Sequence, residues 1–223
     1  MKRSQINQAI QTAEALLVEL AWRLPDFASW SRDEHARLAE RSQWLSARQM
    51  GWDVTDFGQG DFAAKGLTLF CLRNGLADQP GERPYAEKLL FVRPGQETPF
   101  HAHHDKLEDI IVRGGGTLCV EFTARGAVRD DAPLTDDAIT RVDGRAVPLY
   151  QGPIRLSAGQ SITIPRGVQH RFWGEGEMVL AAEVSQCNDD HRDNHFLDGL
   201  GRFSAIDEDA PVHRLLWNEG GAT

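Results

Sequence analysis

The chain has 223 residues, of which 33 are acidic and 24 basic, and 41% are hydrophobic. This length and composition are typical of a globular protein with a sizeable core. The formal net charge of -9 argues against a nucleic-acid backbone or an anionic membrane as a partner. The sequence contains no run of 18 apolar residues, and its start, MKRSQINQAI, lacks the apolar region of a signal peptide. We therefore expect a cytoplasmic protein.

The first segment of the chain has the periodicity of an amphipathic helix. Ser4 is predicted to cap it, and the stretch LPDF at residues 24–27 is predicted to end it. Apolar residues recur at helical spacing between these points, at Ile6, Ile10, Ala13, Leu17 and Leu20. This pattern predicts a helix that packs one face on the rest of the protein.

Two shorter helices are predicted next. Ser31 and Glu34 have the spacing of a capping box and therefore predict a helix start. Trp44 and Leu45 are predicted to begin a third helical piece that ends near Gly51. We assign residues 1–50 to an N-terminal helical extension.

From Gly51 onward the sequence predicts many short strands. Runs rich in β-branched and aromatic residues alternate with Gly, Pro and Asp. The predicted strands are 88–92, 109–112, 117–123, 138–142, 145–149, 152–156, 161–164, 170–173 and 178–185. Asp143 and Gly144 form a two-residue hairpin signal. Residues 51–223 are therefore assigned to a β-sandwich or barrel, within one domain overall. The three cysteines, at 71, 119 and 187, are too widely spaced to suggest disulfides.

The stretch GQETPFHAHHDKLEDIIVRGG, residues 95–115, carries the strongest chemical signal. His101 and His103 are two residues apart, so both side chains lie on the same side of an extended strand. Glu108 can return to that side on the next strand, whereas His104 should point to the opposite face. Imidazole and carboxylate together are ligands for a divalent transition metal. A fourth ligand must come from elsewhere in the chain.

A second motif supplies that ligand at His170. Residues 159–170, GQSITIPRGVQH, follow the pattern G-x5-P-x-G-x2-H, and the first motif follows G-x5-H-x-H-x4-E-x6-G. Together they resemble the two signature motifs of the cupin superfamily, although Gly174 stands where that family often has Asn. The resemblance implies a mainly β jelly-roll barrel in which His101, His103, Glu108 and His170 bind one metal. The alternative is a metal-free cupin in which these histidines are structural.

Longer segments resemble D-lyxose isomerases, the cupin-type aldose–ketose isomerases. They include GWDVTDFG, DFAAKGLTLFCLRNG, YAEKLL, HAHHDKLEDIIVRGGG and EVSQCNDDHRDNHFL. The resemblance implies that Mn²⁺ is the cofactor and that D-lyxose and D-xylulose are interconverted, often with D-mannose and D-fructose. It also implies a homodimer. The donor set itself suits Mn, Fe, Co or Ni, and less strictly Zn.

The same resemblance indicates catalytic and substrate-binding residues. Lys88 follows Tyr-Ala-Glu, a context in which the family's lysine faces the metal cavity, and it could stabilise an enediolate. Glu183 is the leading candidate for the carboxylate that transfers a proton between C1 and C2, and Glu108 could share this role. Asp190 is assigned both to acid–base work and to substrate binding.

Further sugar contacts are predicted from polar and aromatic residues. Asp193 and His195, together with Lys88 and Asp190, are predicted to bind substrate, since carboxylates accept hydrogen bonds from hydroxyl groups. A hydrophilic turn would explain these aspartates equally well. Four aromatic residues could stack on a sugar, although core packing is the commoner role for such side chains: Trp52, Phe100, Phe172 and Trp173.

Other reactions remain open at this stage, because a cupin metal site supports several chemistries. The sequence has neither a Gly-rich phosphate loop nor an Arg or Lys cluster near the metal motifs, which favours a free sugar over a sugar phosphate. The alternatives are another cupin sugar isomerase, an iron-dependent dioxygenase and a non-catalytic sugar-binding cupin. An enediol route and a metal-assisted hydride shift would use similar residues.

Overall fold

A computed structural model describes residues 1–77, 79–126 and 138–220. Its helices are α1 (Arg3–Glu19), a short 3-10 helix (Asp26–Ser29), α2 (Arg32–Arg37) and α3 (Ala39–Ala47). Its strands are β1 (Gly51–Thr55), β2 (Leu67–Arg73), β3 (Tyr85–Val92), β4 (Glu97–Ala102), β5 (Glu108–Thr123), β6 (Ile139–Val142), β7 (Arg145–Pro148), β8 (Ile154–Leu156), β9 (Ser161–Ile164), β10 (Gln169–Gln186) and β11 (His195–Phe196). None of the described helices has the length and apolar character needed to cross a membrane.

The capping box of α2 is confirmed. The Ser31 hydroxyl accepts a hydrogen bond from the backbone N–H of Glu34, and the Ser31 N–H donates to the Glu34 carboxylate. The start predicted for the third helix is wrong, because α3 begins at Ala39 and not at Trp44. Leu38 ends α2 and precedes α3 directly, so the two helices follow one another without a loop.

The N-terminal helix is attached to the C-terminal segment. The prediction that Ser4 caps α1 is wrong, because the helix begins at Arg3 and Ser4 lies in its first turn. The Ser4 hydroxyl instead donates to Asp209 at 2.7 Å. Arg3 is fully buried and forms ion pairs with Glu208 and Glu219. These partners are about 200 positions away along the chain, so a local sequence pattern does not reveal them.

Two long strands run through the centre of the sheet. The sequence predicted four strands where the structure has only β5 and β10, which pair in antiparallel register from Gln169↔Thr123 to Ser185↔Glu108. The glycines that suggested strand ends instead produce a register shift between Glu175 and Val179. Gly115 lies in this region with φ +83°, a conformation that lets β5 bend without ending. Each long strand therefore carries residues at both ends of the barrel.

Replacing Gly115 by alanine should lower the free energy of unfolding by about 2–4 kcal/mol, because its Cβ would lie 1.9 Å from the Met178 carbonyl oxygen. Gly176→Ala is the matched control. Gly176 has a similar φ of +80°, but a Cβ added there would meet nothing within 4 Å, so only the conformational cost of about 1–2 kcal/mol applies. Urea unfolding measures both. Equal losses in the two variants would show that close packing at Gly115 has no effect.

The sheet separates two hydrophobic cores. Its strand order is β1-β2-β3-β10-β5-β9-β6-β7, with β4 paired to β10 and β11, and β8 paired to β5. Along β2, Phe70 packs into a core shared with the helices, whereas Leu69 points into the second core, inside the barrel. In β3, Phe91 and Leu90 alternate in the same way. The barrel interior is therefore lined by one face of each strand, and the helices cover the other face of β1–β3.

The hairpin predicted at Asp143 and Gly144 is confirmed. Both residues have positive φ, at 49° and 81°, and they join β6 to β7 with Val142 paired to Arg145.

The division at residue 50 between a helical extension and a barrel stays a prediction, since the helices and the sheet share one core. Cys71 and Cys119 are buried free thiols.

Candidate metal centre and active site

Four buried side chains converge inside the barrel. His101 lies near the end of β4, His103 follows that strand, Glu108 begins β5 and His170 is the second residue of β10. One ligand atom from each lies within 4.8 Å of the ligand atoms of the other three. Strand pairing accounts for this, because His170 is directly opposite His101 in the register of β10 and β4. The four ligands predicted from the two motifs are thus brought together.

The three imidazoles are oriented by backbone carbonyl groups. Each Nδ1 lies at hydrogen-bond distance from a carbonyl oxygen, which can only accept, so Nδ1 carries the proton and Nε2 keeps its lone pair. The pairs are His101 with Pro99 at 2.8 Å, His103 with Asp193 at 2.8 Å and His170 with Val168 at 3.0 Å. The lone pairs are therefore available as metal ligands.

The charge states also suit a cation. Burial lowers the pKa of His101 well below its usual range and that of His103 to about 3, so both are neutral. Burial alone would raise the pKa of Glu108, but the ammonium group of Lys106 holds it well below its usual value. Nε2 of His170 lies 3.0 Å from the Glu108 carboxylate, and within the described residues no hydrogen bond satisfies it. Two acceptors this close repel each other unless a cation lies between them, so the cluster fits a divalent metal.

A cavity inside the barrel adjoins this cluster. Three of the four ligands reach its wall, namely His101, His103 and Glu108. The apolar lining consists of Phe57, Leu67, Leu69, Leu90, Ile110, Phe172 and Phe196. The remaining polar lining consists of Lys88, Thr98, Lys106, Glu183, Asp190, Asn194 and Arg202. A buried cavity with this many polar groups suits a small molecule that carries several hydroxyl groups.

Glu183 is held on the cavity wall by two lysines. Lys106 Nζ lies 2.8 Å from Oε1 of Glu183 and 2.8 Å from the Glu108 carboxylate, and Lys88 Nζ lies 3.4 Å from the same Oε1. Ser185 donates its hydroxyl to this oxygen as well. Burial would raise the pKa of Glu183, but Lys106 and Lys88 lower it, so the group is a carboxylate. Within the described residues Oε2 of Glu183 accepts no hydrogen bond, so it is available to a ligand.

Sequence reasoning did not find Lys106. It lies two residues before Glu108 in HHDKLED, and this spacing places both side chains on one side of an extended chain. The same argument that joined His101 and His103 would have identified it. Lys106 is 2% exposed, so it is a buried cation that joins a metal ligand to Glu183.

Asp190 lies on the cavity wall among a second set of charged and polar side chains. One oxygen accepts from Arg202 at 2.9 Å and the other from Asn194 at 3.1 Å. Arg202 also pairs with Asp53, and its Nη1 is buried without a hydrogen bond among the described residues. Burial would raise the pKa of Asp190, but Arg202 and Lys88 hold it below the usual range. Arg202 belongs to an irregular segment whose position the sequence pattern did not indicate.

Asp193 and His195 lie outside the cavity lining. The backbone carbonyl of Asp193 accepts from His103, and its carboxylate accepts from the backbone N–H of Asp105. His195 lies in β11 with its ring 4.2 Å from the ring of His104, which is exposed and is not one of the four metal-cluster residues. This geometry does not support direct sugar contacts from Asp193 or His195. It supports a role for Asp193 in orienting His103.

The four aromatic residues that could stack on a sugar lie in different environments. Phe172 lines the cavity, whereas Trp52 is buried in the core shared with the helices. Phe100 and Trp173 both face the guanidinium group of Arg171. Two aromatic residues that line the cavity were not identified from the sequence, Phe57 and Phe196.

The sequence showed no cluster of basic residues near the metal motifs, yet the fold produces one. Lys88, Lys106 and Arg202 all line the cavity. They contact four carboxylates, those of Asp53, Glu108, Glu183 and Asp190. Each of these cations already contacts at least one carboxylate, which disfavours a phosphate group as their ligand.

This antiparallel barrel, with three imidazoles and one carboxylate converging inside it, is a cupin fold with a candidate metal centre. The fold is shared with the L-ribose isomerase of Acinetobacter sp. DL28, which is 18% identical, has a TM-score of 0.64 and is aligned over 93% of this chain and 98% of its own.

The family model described as D-lyxose isomerase matches residues 1–220. The D-lyxose/D-mannose isomerase of Escherichia coli O157:H7 is 44% identical over 225 residues, which cover 98% of each chain. The enzyme of the same name from Serratia proteamaculans is 43% identical, with 98% of this chain and 97% of its own covered. The chain therefore belongs to the D-lyxose isomerase family.

Proposed function

We propose that the protein is a metal-dependent aldose–ketose isomerase that interconverts D-lyxose and D-xylulose, and also D-mannose and D-fructose. One observation carries the reaction type: Glu183 presents to the metal-lined cavity an oxygen that accepts no hydrogen bond from the part of the chain that the structure describes. The names of the two relatives with 43–44% identity support the choice of sugars.

The cofactor we propose is Mn²⁺, held by Nε2 of His101, His103 and His170 and by the Glu108 carboxylate. An ion with this donor set acts as a Lewis acid toward a sugar carbonyl. The choice of manganese rests on the resemblance to the family, since the donor set also suits other divalent transition metals. The protein's own contribution is to keep His101 and His103 neutral and the Glu108 carboxylate ionised before the ion arrives.

Isomerisation requires a proton to leave C2 of the aldose and arrive at C1 while the hydroxyl proton of C2 moves to the C1 oxygen. We assign the carbon-to-carbon transfer to Oε2 of Glu183, because Lys106, Lys88 and Ser185 all contact Oε1. In Asp190, by contrast, both oxygens already accept hydrogen bonds. The intermediate is an enediol, and the positive charge of Lys88 favours the negative charge that develops on its oxygens.

Two unpaired polar atoms are the proposed partners of the remaining sugar hydroxyl groups. Nη1 of Arg202 and Oγ1 of Thr98 are both buried without hydrogen bonds among the described residues, and both residues line the cavity. A buried donor without a partner is costly, and a hydroxyl group of the substrate would satisfy it. Asp190 is assigned to holding Arg202 in place and not to the proton transfer.

We also propose that the protein acts in the cytoplasm as a homodimer. The first statement rests on the three widely spaced cysteines, which fit a reducing compartment, and the second on the resemblance to the family. Light scattering on the purified protein measures the mass in solution. A mass near that of one 24.8 kDa chain would contradict the dimer.

The proposed reaction is tested by incubating the Mn²⁺-loaded protein with a panel of free and phosphorylated aldoses in the absence of oxygen. We expect D-xylulose from D-lyxose and D-fructose from D-mannose. Turnover of sugar phosphates alone would contradict the assignment to free sugars. Oxygen consumption by an iron-loaded sample, without isomerisation, would indicate a dioxygenase.

The same reaction run in D₂O distinguishes the proton-transfer route from a hydride shift. A proton held by Glu183 can exchange with solvent, so we expect deuterium at C1 of the ketose. A product without deuterium at carbon would contradict the role assigned to Glu183, while leaving the isomerase activity itself established.

A further inference from the structure

Gln49 has an unusual backbone conformation at the junction between the helices and the sheet. It has φ +53° and lies between the end of α3 at Ala47 and the start of β1 at Gly51. A residue with a Cβ rarely adopts this left-handed conformation, which glycine adopts easily. A strained residue that keeps a long polar side chain indicates that the side chain itself has a role.

The side-chain amide of Gln49 binds three consecutive residues after β10. Its oxygen accepts from Nδ2 of Asn188 at 3.2 Å and from the backbone N–H of Asp190 at 2.9 Å. Its nitrogen donates to Asp189 at 3.4 Å. One glutamine therefore fixes the segment that leads from β10 to the cavity residue Asp190.

Asn188 extends this contact to Lys88. Its side-chain oxygen accepts from Nζ of Lys88 at 2.5 Å, and its backbone N–H and C=O are both bound by the side chain of Asn74 at 2.9 Å. The NH₂ group of Asn188 donates to Gln49. The side-chain oxygen of Asn188 is therefore the end that faces the ammonium group of Lys88. Asn188 is 6% exposed and does not line the cavity, so it can act on a substrate only through residues that do, and Lys88 is the one its side-chain oxygen binds.

Lys88 has a competing partner. Its Nζ lies 3.4 Å from Oε1 of Glu183, farther than the 2.5 Å to Asn188. Without the Asn188 oxygen, the ammonium group would move onto Glu183, where Lys106 is already bound at 2.8 Å. Such a shift would take Lys88 away from its present position on the cavity wall.

We infer that Gln49 and Asn188 are positioning residues for the reaction: the strained glutamine orients Asn188, and Asn188 holds Lys88 on the cavity wall and limits how closely it approaches Glu183. This inference rests on the proposed isomerase function. Gln49, at the end of the helical extension, would then help to keep Lys88 in its position on the cavity wall.

Gln49→Gly separates this role from a structural one. Glycine relieves the backbone strain but removes three side-chain hydrogen bonds, so the thermal midpoint should change little, whereas kcat for D-lyxose should fall between about tenfold and 100-fold as Lys88 shifts. Ala21→Gly is the matched control, because Ala21 also has φ +53° but is exposed after α1. It should leave kcat unchanged. A Gln49→Gly protein with wild-type kcat would overturn the inference.

A double-mutant cycle tests the route through Lys88. Asn188→Ala should lower kcat in the wild-type background but change it less than about twofold when Lys88 is already alanine, because the two substitutions remove one interaction. Equal effects in both backgrounds would overturn the inference, since a general structural role would be additive.

Crystal structures of the wild type and of Asn188→Ala provide a test that needs no turnover. Nζ of Lys88 should move to about 3 Å from Oε1 of Glu183 in the variant. An unmoved Nζ would overturn the inference even if the wild type proved inactive. An inactive wild type with a displaced Nζ would contradict the proposed function alone and support the positioning role.

Discussion

Replacing His101 by alanine should remove the bound metal and lower kcat by more than about 1000-fold, because the ion would keep only three ligands and the carbonyl would lose its Lewis acid. Metal content is measured by mass spectrometry on dialysed protein, and kcat is measured with D-lyxose. The variant should still fold, since strand pairing and apolar packing hold the barrel core together. Circular dichroism checks this.

His104→Ala is the control for this experiment. It removes a histidine three residues along the same segment, but one that is exposed and packs on His195 outside the cavity. We expect it to keep the metal and most of the activity. A His101→Ala protein that binds the metal as tightly as wild type would refute the four-ligand assignment, whatever its activity.

Glu183→Gln should lower kcat by about 100- to 10000-fold while metal content and KM change little. The amide keeps the shape of the side chain and still reaches Lys106, but it cannot accept a proton from carbon. Loss of kcat at constant KM is the signature of a group that acts in the transition state. Steady-state kinetics with D-lyxose and metal analysis on the same sample give both quantities.

Two further variants are compared with Glu183→Gln. Glu175→Gln changes a half-buried carboxylate on the same strand, paired with Arg155 outside the cavity, and should leave kcat unchanged. Asp190→Asn should raise KM more than it lowers kcat, because Asp190 orients Arg202. If Asp190→Asn lost more kcat than Glu183→Gln, the proton-transfer roles of the two carboxylates would have to be exchanged.

The helices and strands were predictable where the signal is local. Ser31 and Glu34 form their capping box within four residues, and Asp143 with Gly144 forms its hairpin within two. Prediction failed where a distant partner decides the outcome. Ser4 looks like a cap, but Asp209 binds its hydroxyl inside the helix. Glycine at 115 looks like a strand end, but pairing with β10 continues past it.

The residues of the site were likewise predictable where they are close in sequence, and not where their partners are distant. His101, His103 and Glu108 are close in sequence and share a side of the extended chain, so their convergence could be read from spacing. Lys106 obeys the same spacing and was overlooked. Arg202 and Gln49 could not have been found in this way, because Gln49 binds Asp190 across 141 residues and Arg202 binds Asp53 across 149. Only the folded topology brings them together.

The two sides of the cavity have different origins, and this has a consequence for engineering. The metal cluster, Lys88 and Glu183 lie on or next to paired strands, whereas Phe57, Asn194 and Arg202 come from irregular segments. Rigid strands keep the reacting groups in fixed geometry, and loops tolerate substitution. A mutant library aimed at other aldoses should therefore diversify those loop positions and leave the strands untouched. New sugar preferences in such a barrel can evolve in the same way, by substitutions in the loops while the strand residues stay unchanged.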